Sequence, residues 1–140
     1  MNSSPSGARK PSVNRIVLDA SAILAVVIAE PGHEPLHAEL LSRAIASAVN
    51  VAEVHTKLLA LGWQSHEAWN DATGFISEIV HFDEEHAKLT GDLAPRTRAL
   101  GLSLGDRACL ALGIVLGAPV YTAERLWRKL RLDVQIHVIR

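Results

Sequence analysis

The sequence predicts a three-layer α/β/α sandwich around a mostly parallel central sheet. Two observations predict it. Short β-branched or apolar runs alternate with helical segments along the chain, and this alternation implies right-handed crossovers that bury both faces of the sheet. The 140 residues, 49% hydrophobic and 21% charged, also suit one domain with a real core and leave no room for a second.

The elements follow in order. Ile16 to Leu18 is a β-branched run, and Ser21 to Ala29 has helical composition that Pro31 and Gly32 bring to an end. Pro35 to Arg43 reads as a second helix, Ile45 to Ser47 as a strand, and Val49 to Leu61 as a helix closed by Gly62. Ser65 can cap a helix that runs to about Phe75, and Glu78 to Phe82 is strand-like. Asp83 opens an acidic helix, EEHAKLTGDL, and Arg96 to Leu100 makes a short helical turn. The clearest helix runs from Ser103 or Leu104 to Leu116, where Gly117 and Pro119 stop it. Val120 to Thr122 is then a strand, Glu124 to Leu130 a short helix, and Val134 to Val138 the last strand.

The bulk features narrow the classes. No segment reaches the roughly 18 consecutive apolar residues of a membrane span. The opening MNSSPSGARKPSVN lacks the apolar core of a secretory signal and reads as a disordered tail over residues 1–14, which leaves 15–140 as the domain. A single cysteine, Cys109, excludes an internal disulfide and makes a reducing cytoplasm the expected location. From Ile16 to Pro95 there are 12 acids against three bases, and from Arg96 to Arg140 eight bases against three acids. That asymmetry suits a local phosphate-binding patch or a solvated surface, while a pI of 6.6 argues against a strong general nucleic-acid binder.

Four carboxylates stand out because each lies in a neutral or apolar stretch: Asp19 in RIVLDASAIL, Glu53 in SAVNVAEV, Asp106 in LSLGDRACLAL and Glu124 in VYTAERLW. Acids are costly to desolvate, so acids from distant segments that converge usually bind a cation or carry chemistry. In open α/β sheets the functional crevice lies beyond the carboxyl ends of the strands, where residues after a strand and at helix starts arrive together. Each acid also has a purely structural reading. Asp19 can cap the first helix, Glu53 can pair with Lys57, Asp106 can form a capping box with Ser103, and Glu124 can open its own short helix with Arg128 one turn on. These readings explain the acids singly but not the poverty of other charge around them, and a shared site explains both.

On these residues the chain resembles the PIN-domain family and, within it, the VapC-type toxins of bacterial toxin-antitoxin pairs. The matching segments are VLDASAILAVVIAEPG, ASAVNVAEV, TRALGLSLGDRACLALG and VYTAERLW, in that order, across nearly all of Ile16 to Arg140. The resemblance implies a PIN-like nuclease over residues 15–140: a Mg²⁺-dependent endoribonuclease toxin, with Mn²⁺ as substitute, that cuts structured RNA. It implies neutralisation by a cognate VapB-type antitoxin and pairing as a homodimer. Asp19, Glu53 and Asp106 match the family's metal-binding acids, and Glu124 stands where the family usually has Asp, one methylene shorter. Ser21 and Thr122 are expected to support the acids, and Arg107 and Arg125 to contact phosphate or pair with a carboxylate. Arg96 and Arg98 are further candidate RNA contacts.

A catalytically inactive PIN-like module that binds RNA or protein is the competing reading, supported only by the Glu124 departure. His33 and His37 lack a third soft ligand for zinc, Cys109 reads as core, and Trp63, Trp69 and Trp127 read as packing or partner contacts. Ile23, Leu24, Val27, Leu58 and Leu59 are candidate lining for an antitoxin groove or ordinary core.

Overall fold

The computed structural model describes residues 14–140, so the expected tail lies, apart from Asn14, outside the described residues. Among them, five strands form one sheet: β1 (Ile16–Leu18), β2 (Ala44–Ser47), β3 (Glu78–Val80), β4 (Val120–Thr122) and β5 (Ile136–Val138). Their spatial order is β3-β2-β1-β4-β5 and every pairing is parallel. The helices are α1 (Ala20–Val27), α2 (Ala38–Leu41), α3 (Ala48–Ala60), α4 (Ser65–Thr73), α5 (Glu84–Asp92), α6 (Ala94–Thr97) and α7 (Leu104–Leu116), with 3-10 turns at Arg98–Leu100 and Arg125–Lys129.

Side chains alternate along a strand, and here the alternation divides the core in two. Ile16 and Leu18 of β1 and Ala44 and Ala46 of β2 face one way, onto Ala22, Ile23 and Ala25 of α1 and Val51, Val54 and Leu58 of α3. Val17, Ile45 and Val120 face the other, onto Cys109, Leu110 and Leu112 of α7 and onto Leu93 and Trp127. This is the three-layer sandwich that the sequence predicts. Strands buried on both faces read as continuous apolar runs, which is why three residues sufficed to reveal β1. No helix among the described residues is long and apolar enough to cross a membrane.

The helix starts are set by local chemistry. Asp19, Ser47, Asp83 and Ser103 sit in extended backbone and accept hydrogen bonds from the first-turn amides of α1, α3, α5 and α7. Gly117, at φ 62°, closes α7 in the left-handed region.

Several boundaries differ from expectation. The helix expected over Pro35 to Arg43 shrinks to α2, because Leu36 is drawn into the core and His37 caps the helix with Nδ1, 3.4 Å from the Leu40 amide. Gln64, not Ser65, occupies the cap of α4, with no side-chain bond, and that helix ends at Thr73. The segment from Glu124 to Leu130 tightens into a 3-10 turn, and β3 and β5 are shorter than the apolar runs that announced them.

The order of strands fixes where a site can form. β1 is flanked by β2 on one side and β4 on the other: the chain runs outward from β1 through β2 to β3 and then crosses back to β4 on the opposite side. The C-terminal ends of β1 and β4 are therefore the topological switch point of the sheet.

Candidate active site

Asp19 stands at that switch point, directly after β1, and is only 2% exposed. Its carboxylate is held on every side. Oδ1 accepts from the Ala22 amide at 2.8 Å and from Ser21 Oγ at 2.8 Å; Oδ2 accepts from Thr122 Oγ1 at 2.6 Å and from Ser21 Oγ at 3.0 Å. The two hydroxyls belong to a small lattice of their own. Ser21 Oγ accepts from the Ala123 amide at 2.9 Å, and Thr122 Oγ1 accepts from the Glu124 amide at 3.0 Å. Thr122 closes β4, so this lattice ties the ends of the two central strands together through one acid.

Burial pushes the Asp19 carboxyl from 3.8 up to about 6. The hydrogen bonds from Thr122, Ala22 and Ser21 pull it back down, and the negative charge of Asp106 adds to the rise. An acid so placed holds its proton more tightly than an exposed carboxyl does.

Glu53 lies on α3, one turn below Asn50, whose Nδ2 donates to Glu53 Oε1 at 2.9 Å and to the Gly105 carbonyl at 2.9 Å. The carboxylate rests against Gly105, where an added Cβ would run into it. Asp106 follows immediately in the first turn of α7 and completes a capping box: Ser103 Oγ accepts from the Asp106 amide at 3.2 Å, and Asp106 Oδ2 accepts from the Ser103 amide at 3.0 Å. Below them lies the buried Cys109. Its thiol is pushed well above its ordinary value by burial, and then by the charges of Asp19, Asp106 and Glu53. Asp19, Asp106 and Glu53 thus act on that one thiol through their charge.

Glu124 is placed differently. It is exposed on the rim, opens the 3-10 turn without a side-chain cap, and is tied to the others through its backbone bond to Thr122. It also lines a recess of about 340 Å³ with Ala123, Arg125, Leu126 and Arg140.

Among the described residues, no three His, Cys, Asp or Glu side chains stand close enough to share one metal ion directly. The physical reason is visible in the bonds: Asp19, Glu53 and Asp106 are each anchored by their own donors, and like charges gain nothing by closing further without a cation. The donor set nonetheless suits Mg²⁺, which takes hard oxygens, keeps several waters and uses only one or two carboxylates directly.

The model of the PIN domain matches residues 16–131. The chain belongs to the PIN domain family. No curated protein matches it significantly. Among solved structures, a chain of VapBC2 from Rickettsia felis, bound to a DNA fragment from its promoter, is 16% identical with a TM-score of 0.69, covering 89% of this chain and 98% of that one. A chain of DNA-bound VapBC from Salmonella typhimurium is 18% identical with a TM-score of 0.68, covering 90% and 98%. A chain of VapBC-5, a toxin-antitoxin system member from Mycobacterium tuberculosis, is 19% identical with a TM-score of 0.59, covering 91% and 98%. At such identities the likeness is one of fold.

Within the PIN domain the supporting residues separate. Ser21 and Thr122 meet Asp19 as expected, whereas Arg107 Nη1 donates to the Thr90 carbonyl on α5 at 2.9 Å instead of turning to Asp106. Arg125 is exposed beside Glu124, and Arg96 donates to the Arg131 carbonyl at 3.1 Å. Ile23 and Leu58 are fully buried core and cannot line a groove, while Leu24 and Val27 are half-buried and Leu59 is exposed. Asn50 and Gly105 escaped the sequence reading. The signals were an amide one turn before Glu53 in SAVNVAEV and a glycine in the first turn of a helix, where alanine is the better former.

Proposed function

We propose that this PIN domain is a divalent-metal-dependent endoribonuclease of the VapC toxin type, acting on structured RNA and neutralised by a VapB-type antitoxin. The observation that carries the proposal is Asp19 buried at the switch point among the hydroxyls of Ser21 and Thr122, with the Glu53 carboxylate resting on Gly105 next to Asp106 in the first turn of α7. The fold likeness to chains of VapBC complexes supports the toxin reading and the antitoxin partner.

In this reading Asp19, Glu53 and Asp106 hold Mg²⁺, with Mn²⁺ as substitute, and Glu124 reaches toward the same space from the rim. The bound cation activates water and offsets charge that develops on the phosphodiester. The chain's own residues do the rest. Thr122 and Ser21 fix the Asp19 carboxylate, the capping box fixes Asp106 at the positive end of α7, and the exposed Arg125 is available to a phosphate. Pairing as a homodimer belongs to the same proposal.

The test is expression in a bacterial host without the antitoxin, with sequencing of new RNA 5′ ends after a short pulse. Wild type is expected to arrest growth and generate discrete ends; Asp19→Asn and Asp106→Asn are expected to do neither. Equal cleavage by wild type and both variants would remove the catalytic assignment. The absence of a shared metal-ligand cluster among the described residues favours one other reading, a non-cleaving binding module. Tight RNA binding with no new ends for wild type across a Mg²⁺ and Mn²⁺ series would establish it.

A further inference from the structure

Asn50 is 1% exposed, and a buried amide is costly unless its polar atoms are used. Its Nδ2 is used twice, on Glu53 Oε1 and on the Gly105 carbonyl, each at 2.9 Å. Both partners are acceptors, so the amide has only one workable orientation; turned round, Oδ1 would face two oxygens. Its Oδ1 then stays buried with no partner. A side chain chosen for stability alone would not leave that atom unsatisfied.

The second observation lies across the helix interface. Gly105 presents no side chain where the Glu53 carboxylate rests, and any Cβ there would displace it. The amide therefore pulls on one carboxylate oxygen while the bare glycine backbone supplies the seat. Glu53 Oε2 has no hydrogen-bond partner among the described residues.

We propose that Asn50 is a positioning residue that holds the Glu53 carboxylate on the Gly105 seat, next to Asp106 in the first turn of α7, and leaves Oε2 without a protein donor. The proposal rests on the metal-site reading of Glu53 given above. Asn50 touches neither substrate nor cation; it acts through Glu53. Groups of this kind, one bond removed from a metal ligand, typically change metal affinity by about tenfold to a hundredfold when replaced.

The deciding variant is Asn50→Asp, which keeps the shape and turns the donor into a third acceptor. Two measurements are made on the full chain: the crystal structure without metal, and Mn²⁺ binding by calorimetry. Asn50→Asp is expected to move the Glu53 carboxylate off Gly105 and to weaken Mn²⁺ binding about tenfold to a hundredfold. In a Glu53→Gln background the same substitution is expected to produce no further weakening, because the group through which it acts is gone. Should Asn50→Asp fail to fold, Asn50→Ser, too short to bridge both acceptors, takes its place with the same expectations. A Glu53 carboxylate still seated on Gly105 in the variant crystal overturns the proposal, as does equal weakening in both backgrounds. If wild type binds no Mn²⁺, the metal-site reading fails, and the position of Glu53 in the variant crystal still decides the role of Asn50.

Discussion

Replacing Asp19 by Asn removes one buried charge while keeping the shape of the side chain, and it gives a direct measure of what the fold spends on that acid. In wild type, burial pushes the carboxyl from 3.8 up to about 6. Because the folded value lies above the unfolded one, the stability tied to the protonated form is fully present below pH 3.8 and is lost as the pH rises through about 6. At about 1.4 kcal/mol for each tenfold change in proton affinity, the loss comes to about 3 kcal/mol, a large share of the stability of a domain this size. The amide of Asp19→Asn does not titrate and can keep the Ala22 and Ser21 bonds through its oxygen, with Thr122 Oγ1 rotating to accept from the new NH₂. Urea unfolding followed by circular dichroism, in chelator, from about pH 3.5 to about pH 7.5, isolates the contribution as the difference between the two proteins. That difference is expected to change by about 3 kcal/mol in the variant's favour across the range. Mg²⁺ at neutral pH is expected to return stability to wild type and little to the variant, since a ligand stabilises only the form that binds it. A difference that stays flat with pH would refute the claim that burial outweighs the hydrogen bonds at Asp19.

Further expectations follow from the neighbouring contacts. Thr122→Val removes the 2.6 Å bond to Asp19 and the acceptor of the Glu124 amide, so stability at neutral pH should fall by about 1–3 kcal/mol, and the pH midpoint assigned to Asp19 should move above 6 in the same urea series. Gly105→Ala should weaken Mn²⁺ binding by displacing Glu53, yet in a Glu53→Ala background it should stabilise α7 by up to about 1 kcal/mol, read from thermal melts of the four proteins. The Cys109 thiol, pushed up by its burial and then by the charges of three acids, should react with a disulfide reagent only at the rate at which the chain unfolds; rapid labelling of the native protein would contradict its placement.

How legible these features were depended on how local their causes are. Asp19 announced itself because a strand, an acid and a helix start follow one another within a few residues, and the Ser103-to-Asp106 spacing carries its own cap geometry. The parallel sheet was legible as alternation, since β1 and β2 are buried on both faces and read as unbroken apolar runs, whereas the order of its strands was not. Arg107 takes a partner that the sequence did not reveal, for a geometric reason. Consecutive helical residues diverge by about 100°, so the neighbour of Asp106 in sequence turns toward α5 and the Thr90 carbonyl. Asn50 and Gly105 were invisible because their partnership spans 55 residues and consists of a hydrogen bond and a missing side chain. The short helix expected over Pro35 to Arg43 failed because the burial of Leu36, a tertiary demand, outweighed local propensity.

The structural and chemical readings of the acids do not exclude one another, and their unequal hydrogen bonding shows how each could serve both. Asp106 spends Oδ2 on the cap of α7 and Glu53 spends Oε1 on Asn50, so each keeps an oxygen for other work. Asp19 has its two oxygens engaged by four contacts, two of them from the single hydroxyl of Ser21. That hydroxyl lies 3.3 Å from Thr122 Oγ1, a pair in which either oxygen can donate. Turning the Ser21 proton toward Thr122 frees lone pairs on Asp19 without moving a heavy atom, which leaves them open to a positive charge. Ser21→Ala separates the two roles. It deletes the rotor and the acceptor of the Ala123 amide but leaves the Ala22 cap, so α1 should persist while the response of Asp19 to cations changes.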